Sequence, residues 1–206
     1  MNEQESLQDY LNRLASSDPT PGGGAAAAVS GAQAVALLLM VCRLTSGKKF
    51  ASVSEQINEL ETLLIQNKSA FLALKDEDEK AFQELMSCYK LPKSNEDEAA
   101  IRLAKIRESL YLAARAPMQM IEEVLRVLPS TSTLIRIGNK NLITDIGVAV
   151  HLLDTTVQSA RLNVLINTRL VDNPDFDKEC RRVISIAEKL ISAHKKEVME
   201  VVENFL

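Results

Sequence analysis

The chain has no tryptophan, only 4% aromatic residues, and 7 glycines in 206 residues, three of them adjacent. Strands draw on aromatic residues and their turns on glycine, so these shortages argue against an all-β chain. Cysteine is scarce as well. Cys42, Cys88 and Cys180 lie far apart, with no CxxC pair and no nearby pair of histidines. A zinc site is therefore not expected, and three unpaired thiols fit burial in a reducing, cytoplasmic compartment. The N-terminal stretch MNEQESLQDYLNRL is acidic and amphipathic, which matches neither a signal nor a transit peptide. Basic residues do not cluster and the net charge is -4, so nucleic acid is not an expected partner. No charged residue at all stands between Asp18 and Arg43.

Alanine, leucine, glutamate and lysine are frequent, and apolar residues make up 46% of the chain. That composition favours helices around a sizeable core. Leu7, Tyr10, Leu11 and Leu14 recur at helical spacing and predict a short helix over residues 4–15. Pro19 and Pro21 then enforce an extended turn. Residues from about 24 to 44 read as a helix apolar on nearly all sides, long enough to span a bilayer. Ser30, Gly31 and Gln33 interrupt its apolar surface, and alanine is a weak membrane residue, so a small-residue helix buried among others is expected instead of a membrane span.

Val53, Ile57, Leu60, Leu64, Asn67, Phe71, Leu74, Asp78, Ala81, Leu85 and Cys88 alternate at spacings of four and three. They form a heptad seam from about residue 51 to 89, broken only by Asn67 and Asp78. Asp76, Glu77, Glu79 and Lys80 fall off the seam and are expected in solvent. Pro92 ends this helix, and Ser94 or Asn95 caps the next, which runs to about Leu128 with a kink or break at Pro117. PSTSTLIRIGNKN reads as a connection with room for a short helix, and further helices are expected over about 142–171 and 175–204. The reading is one all-α domain over residues 1–206, a bundle of long helices around a buried Ala/Gly-rich helix.

Several residues carry possible chemistry. Gly22, Gly23 and Gly24 permit close approach to a ligand or positive φ, and the following helix start offers free N–H groups. No strand precedes them and no Lys-Ser or Lys-Thr follows, which excludes the dinucleotide and P-loop fingerprints. A tight helix entry without a ligand explains the glycines equally well. Asp78 on an apolar seam is costly unless paired or neutral, and burial would ready it for proton transfer near neutral pH. A register-setting role, or escape to a groove, is the alternative. In GNKNLITDIGVAV, Gly138 and Asn139 fit positive φ, Asn141 or Thr144 an N-cap, and Asp145 the helix dipole. Asn163 and Asn167 share one helix face, as an interhelical hydrogen-bonding pair or as the polar wall of a ligand site. His151 and His194 read as groove or surface residues, and Lys48 and Lys49 as helix-end cations.

Six stretches, PTPGGGAAAA (19–28), LTSGKKF (44–50), DEDEKAF (76–82), KLPK (90–93), GNKNLITDIGVA (138–149) and NVLIN (163–167), occur in this order along nearly the whole chain. Together they resemble the cyclodeaminase/cyclohydrolase family of tetrahydrofolate enzymes. The resemblance implies an all-α homodimer that acts on a small folate substrate without metal or organic cofactor. Its D-x-x-A-F carboxylate maps to Asp78, with Asp76 the lesser candidate. Gly22, Gly23 and Gly24 would shape the folate pocket, and Asn139, Asp145, Asn163 and Asn167 would line it. Lys48, Lys49 and Arg43 are candidates for the folate's glutamate carboxylates. The reaction expected is hydrolysis of 5,10-methenyltetrahydrofolate, with cyclodeamination of 5-formiminotetrahydrofolate, or a non-catalytic helical dimer, as alternatives. Ala25 stands where the family usually has serine, which bears on substrate preference.

Overall fold

Helix starts and stops in this chain follow from local capping. Ser6 accepts the Asp9 amide and opens α1, Leu7–Leu14. Gly22 precedes α2, Gly23–Leu44, with no side chain to cap it. A short 3-10 turn, Lys48–Val53, leads into α3, Ser54–Tyr89. Asn95 then accepts the Glu98 amide at 2.8 Å while the Glu98 carboxylate accepts the Ser94 amide at 2.8 Å. This reciprocal cap starts α4, Glu96–Ile137. A second 3-10 turn, Lys140–Leu142, precedes α5, Ile143–Val171. Asn173 caps α6, Pro174–Phe205, with proline in its first turn. The computed structural model describes residues 5–206. Among these the regular structure is all-helical, and residue 4 of the first expected helix lies outside them.

The helices α2, α3, α4 and α5 each pack against two neighbours in a closed ring, and α6 lies along α4 and α5. Leu38, Leu64, Phe71, Met120, Ile121, Leu134, Ile146, Leu153 and Ile191 fill the centre without exposed surface. Helix α2 is the one described helix long and apolar enough to cross a membrane, and most of that stretch is buried inside the bundle. Its partner surface on α3 is the expected seam: Ile57, Leu64, Asn67, Phe71, Leu74 and Leu85 are buried, and Asp78 and Ala81 half-buried. Asn67 reaches across the interior through its Nδ2, while its Oδ1 is buried without a partner. It donates to Glu123 at 2.6 Å, and the other Glu123 oxygen accepts from Arg126 at 2.8 Å.

The pairing of α2 with α3 has a repeat of its own. A Cβ placed on Gly31 would lie 2.5 Å from the Phe71 ring, and one on Gly24 would lie 2.1 Å from an Asp78 carboxylate oxygen. As the α2 number falls by seven the α3 number rises by seven, so the helices run antiparallel in heptad register. Each glycine is a hole, and Phe71 and Asp78 are the knobs.

Four expectations are corrected. Helix α4 does not stop near Leu128 but passes Pro117 and Pro129 and ends at Ile137. Its buried face continues through Val127, Leu128, Thr131, Leu134 and Ile135, and this packing outweighs the lost proline hydrogen bonds. The hydroxyls that resembled loop residues bond inward, Thr131 to the Leu128 carbonyl and Thr133 to the Pro129 carbonyl. Gly138 is not at positive φ but at -70°, and glycine is needed because a Cβ would meet the Leu134 carbonyl oxygen at 2.5 Å. Neither Asn141 nor Thr144 caps α5. Asn139 instead accepts the Asn141 amide and opens the 3-10 turn. Finally, Glu79 is buried rather than solvated, because α1 covers that side of α3 through Tyr10 and Arg13.

Candidate active site

An α-helix begins with amides that no carbonyl of its own accepts. At the start of α2 the cap residue is Gly22, in extended backbone at φ -127°, so no side chain can serve these amides locally. The neighbour comes from α3: the Asp78 carboxylate lies against this helix start, where the Ala25 amide favours its ionised form. Glycine at 24 is what admits it, since any side chain there would occupy the space of the carboxylate. The glycines thus act by close approach, and none of the three has positive φ. The chain enters this turn through a cis Thr20–Pro21 peptide, and the Thr20 hydroxyl accepts from Gln83 of α3 at 3.0 Å.

Asn163 of α5 approaches from the other side. Its amide group lies 3.5 Å from where a Gly23 Cβ would be. Its Nδ2 donates to the Ser159 carbonyl within α5. One helical turn on, Asn167 donates to the Asn163 carbonyl at 2.9 Å and to the Ala113 carbonyl of α4 at 3.1 Å. The two asparagines therefore bond to backbone rather than to each other's side chains, and they fix α5 against α4 beside the glycine turn. Gly22 faces open space, Gly23 is exposed and Gly24 is buried. The result is a small polar surface where α2, α3 and α5 converge.

Burial pushes the Asp78 carboxyl up to about 6, the Ala25 amide opposes this, and the neighbouring Glu79 charge adds to it. A carboxyl with that affinity is mostly ionised at neutral pH yet takes a proton readily, as a general base and acid must. The Ala25 side chain itself is fully buried, so position 25 reaches the site through its backbone, which serine would supply equally.

The remaining candidates are not gathered here. Asn139 donates through its side chain to the Leu44 carbonyl and through its backbone to the Thr45 hydroxyl, latching the α4–α5 junction onto the C-terminal end of α2. Lys48 is exposed just beyond that end, and Asp145 sits in the first turn of α5. At 1.5 Å per residue, the length of α2 puts these three roughly 30 Å from Gly24 in the same chain. Arg43 is at that end too and is paired with Glu61 at 2.7 Å. Asp76 is exposed and paired with Lys75. A groove of about 520 Å³ between α5 and α6, lined by His151, Asp154 and Lys195 among others, holds none of the candidate residues. His194 lies apart from the site, half-buried and within 2.5 Å of the Thr131 hydroxyl. Among the described residues, no three His, Cys, Asp or Glu side chains converge in a metal-binding arrangement.

Two parts of the site were not legible beforehand. The Ala25 amide is a backbone contribution with no sequence signature beyond the glycines before it. Glu79 is held by Arg13, 66 residues away, and only the amphipathic character of α1 hinted that something covers α3.

Comparison with known proteins adds to this geometry. The profile of the formiminotransferase-cyclodeaminase family matches residues 6–186. A methenyltetrahydrofolate cyclohydrolase from Methylorubrum extorquens is 38% identical over 176 residues, 85% of each chain. A formimidoyltransferase-cyclodeaminase from Rattus norvegicus is 30% identical over 181 residues, 87% of this chain but 34% of that longer one. The crystal structure of a formiminotetrahydrofolate cyclodeaminase from Thermotoga maritima superposes with a TM-score of 0.85 at 28% identity, over 97% of this chain and 96% of the other. By sequence and by fold, the chain belongs to the formiminotransferase-cyclodeaminase family.

Proposed function

We propose that this protein is a methenyltetrahydrofolate cyclohydrolase, with residues 1–206 acting as one catalytic domain. The observation that carries the reading is the Asp78 carboxyl, held against Gly24 and shifted to about 6, in a chain 38% identical to a cyclohydrolase over most of both lengths. Water adds to the electrophilic carbon bridging N5 and N10 of the folate while Asp78 takes its proton. The tetrahedral carbon then collapses: its hydroxyl loses the second proton to solvent as the C=O forms, one C–N bond breaks, and the proton held by Asp78 passes to the departing nitrogen to leave formyltetrahydrofolate. The bridging carbon keeps its oxidation level throughout, so the reaction is written with no resident metal or organic cofactor. A carboxylate beside a cationic amidinium also stabilises the bound substrate. Gly22, Gly23, Gly24, Asn163 and Asn167 form the walls.

Cyclodeamination is the second reading, favoured by the rat relative and the Thermotoga structure. There N10 attacks a formimino carbon on N5, and Asp78 delivers a proton to departing ammonia. The two readings separate in one assay. Loss of methenyltetrahydrofolate absorbance above the spontaneous rate is expected. No acceleration with methenyltetrahydrofolate, but ammonia release from formiminotetrahydrofolate, would replace the first reading by the second.

A cytoplasmic homodimer is part of the proposal. Leu162, Ile166 and Leu170 form a stripe along α5 and are 62%, 55% and 51% exposed, an apolar surface beside Asn163 that a second copy would cover. Lys48, Asn139 and Asp145 reach the same site only if a second copy brings them.

The pH dependence follows from the role. Asp78 works as a base when ionised, so kcat is expected to rise with pH through an acidic limb near 6 and then level off. A limb near 4 in the pH–rate profile would mean that the working group is not this carboxyl.

A further inference from the structure

Glu79 follows Asp78 on α3, and its side chain is 11% exposed. One of its oxygens is 2.9 Å from Lys75 of α3 and the other 2.6 Å from Arg13 of α1. Arg13 also holds Glu5 at 2.8 Å, and Lys75 lies over the ring of the buried Tyr10. This cluster ties α1 to α3 one residue from Asp78, and the chain then runs directly from α1 through the Thr20–Gln83 contact to the glycine turn. A carboxylate buried this far needs its cations, because an uncompensated charge beside Asp78 would favour protonation of Asp78.

We propose that Glu79, held by Arg13 and Lys75, is a positioning residue that sets how readily Asp78 carries its proton, and that α1 controls the site through this contact. The proposal rests on Asp78 as the proton carrier. Adjacent helix residues point in different directions, so Glu79 acts through space and not by touching the reacting atoms. The other groups around Asp78 do not duplicate it. Helix α2 presents only amides, with no charge from Gly22 to Cys42. Helix α5 presents Asn163 and Asn167, both neutral. Helix α4 presents Arg115 across a groove that it shares with Glu77, Lys80 and Glu84 of α3. Asp76 is exposed and bound by Lys75. Glu79 is also the one neighbouring charge that shifts Asp78 noticeably, and it does so upward.

The test is the acidic limb of kcat in the full chain. Glu79→Gln removes a negative charge, lowers the proton affinity of Asp78, and moves the limb to lower pH. Arg13→Gln leaves Glu79 with Lys75 alone and moves the limb to higher pH. Each shift is expected to be about half a unit to one unit. Arg13→Lys keeps the cation and holds the limb near its original position. Glu84→Gln, a charge change on the exposed side of the same helix, leaves the limb in place. Limbs of Glu79→Gln and Arg13→Gln that coincide with the parent, or that move together, overturn the proposal whatever happens to the plateau rate. A failure of the underlying assignment looks different: Asp78→Asn would then keep both its rate and its acidic limb.

Discussion

Asp78→Asn is expected to remain folded and to turn over methenyltetrahydrofolate slower by roughly 10²–10⁴-fold. Asparagine has the same shape and keeps an oxygen that can face the Ala25 amide, so the seam and the start of α2 are expected to be preserved. What disappears is proton transfer. Stability separates this outcome from simple unfolding. In the folded protein Asp78 holds its proton up to about 6, against an ordinary value of 3.8. The folded state therefore binds that proton more tightly than the unfolded chain does. The resulting stabilisation is complete below the unfolded value and is lost as pH rises from about 4 through about 6. The parent at neutral pH carries a buried charge that the variant lacks, a penalty of up to about 3 kcal/mol. Thermal melts of Asp78→Asn and parent should coincide near pH 4 and separate by pH 7, with the variant the more stable. A variant that is less stable at both pH values, or one with full activity, would remove Asp78 from the mechanism.

The second large effect concerns the glycines beneath the α3 knobs. Gly24→Ala places a methyl group 2.1 Å from an Asp78 oxygen and Gly31→Ala places one 2.5 Å from the Phe71 ring, so in both variants the helices must move apart or the knob must turn. Such overpacking costs roughly 1–3 kcal/mol. Added helix propensity of alanine returns less than about 1 kcal/mol of this. The two variants should therefore lose comparable stability in urea unfolding. Their kinetics should differ. Gly24→Ala displaces the carboxylate and is expected to lower kcat about as much as the loss of one positioned acid–base group, roughly 10²-fold or more. Gly31→Ala, one heptad away, is expected to keep kcat within a few-fold of the parent at temperatures where it is folded. Equal kinetic losses would mean that the activity responds to bundle tightness and not to the carboxylate contact.

Much of the fold was legible because periodicity reports on burial. The α3 seam from Val53 to Cys88 is buried or half-buried at every position, and Asp78 stood out as the charge in the wrong place. The end of α4 was misread because Pro129, Ser130, Thr131, Ser132 and Thr133 form turns in isolation, whereas the Thr131 and Thr133 hydroxyls bond helix carbonyls once Leu134 and Ile135 are buried. Tertiary packing overrode local preference there. For the candidate site, spacing within one helix found Asp78, Asn163 and Asn167, and the glycine turn announced itself. Position along the chain did not reveal that Lys48, Asn139 and Asp145 lie at the opposite end of α2, nor that α1 folds back onto Glu79. Those relations depend on helix length and on contacts between distant segments, which no local pattern encodes.

The heptad register between α2 and α3 has a consequence for how this site can vary. Phe71 and Asp78 occupy equivalent slots, one filled by a ring and the other by a carboxylate. The slot at Gly24 measures the side chain that enters it, so glutamate, with the same charge and one more methylene, does not fit without parting the helices. The contact that holds the two helices together at this end is also the contact that aims the carboxylate. With Asp78 as the proposed proton carrier, drift in the packing is drift in the chemistry, and the position has few neutral neighbours in sequence space.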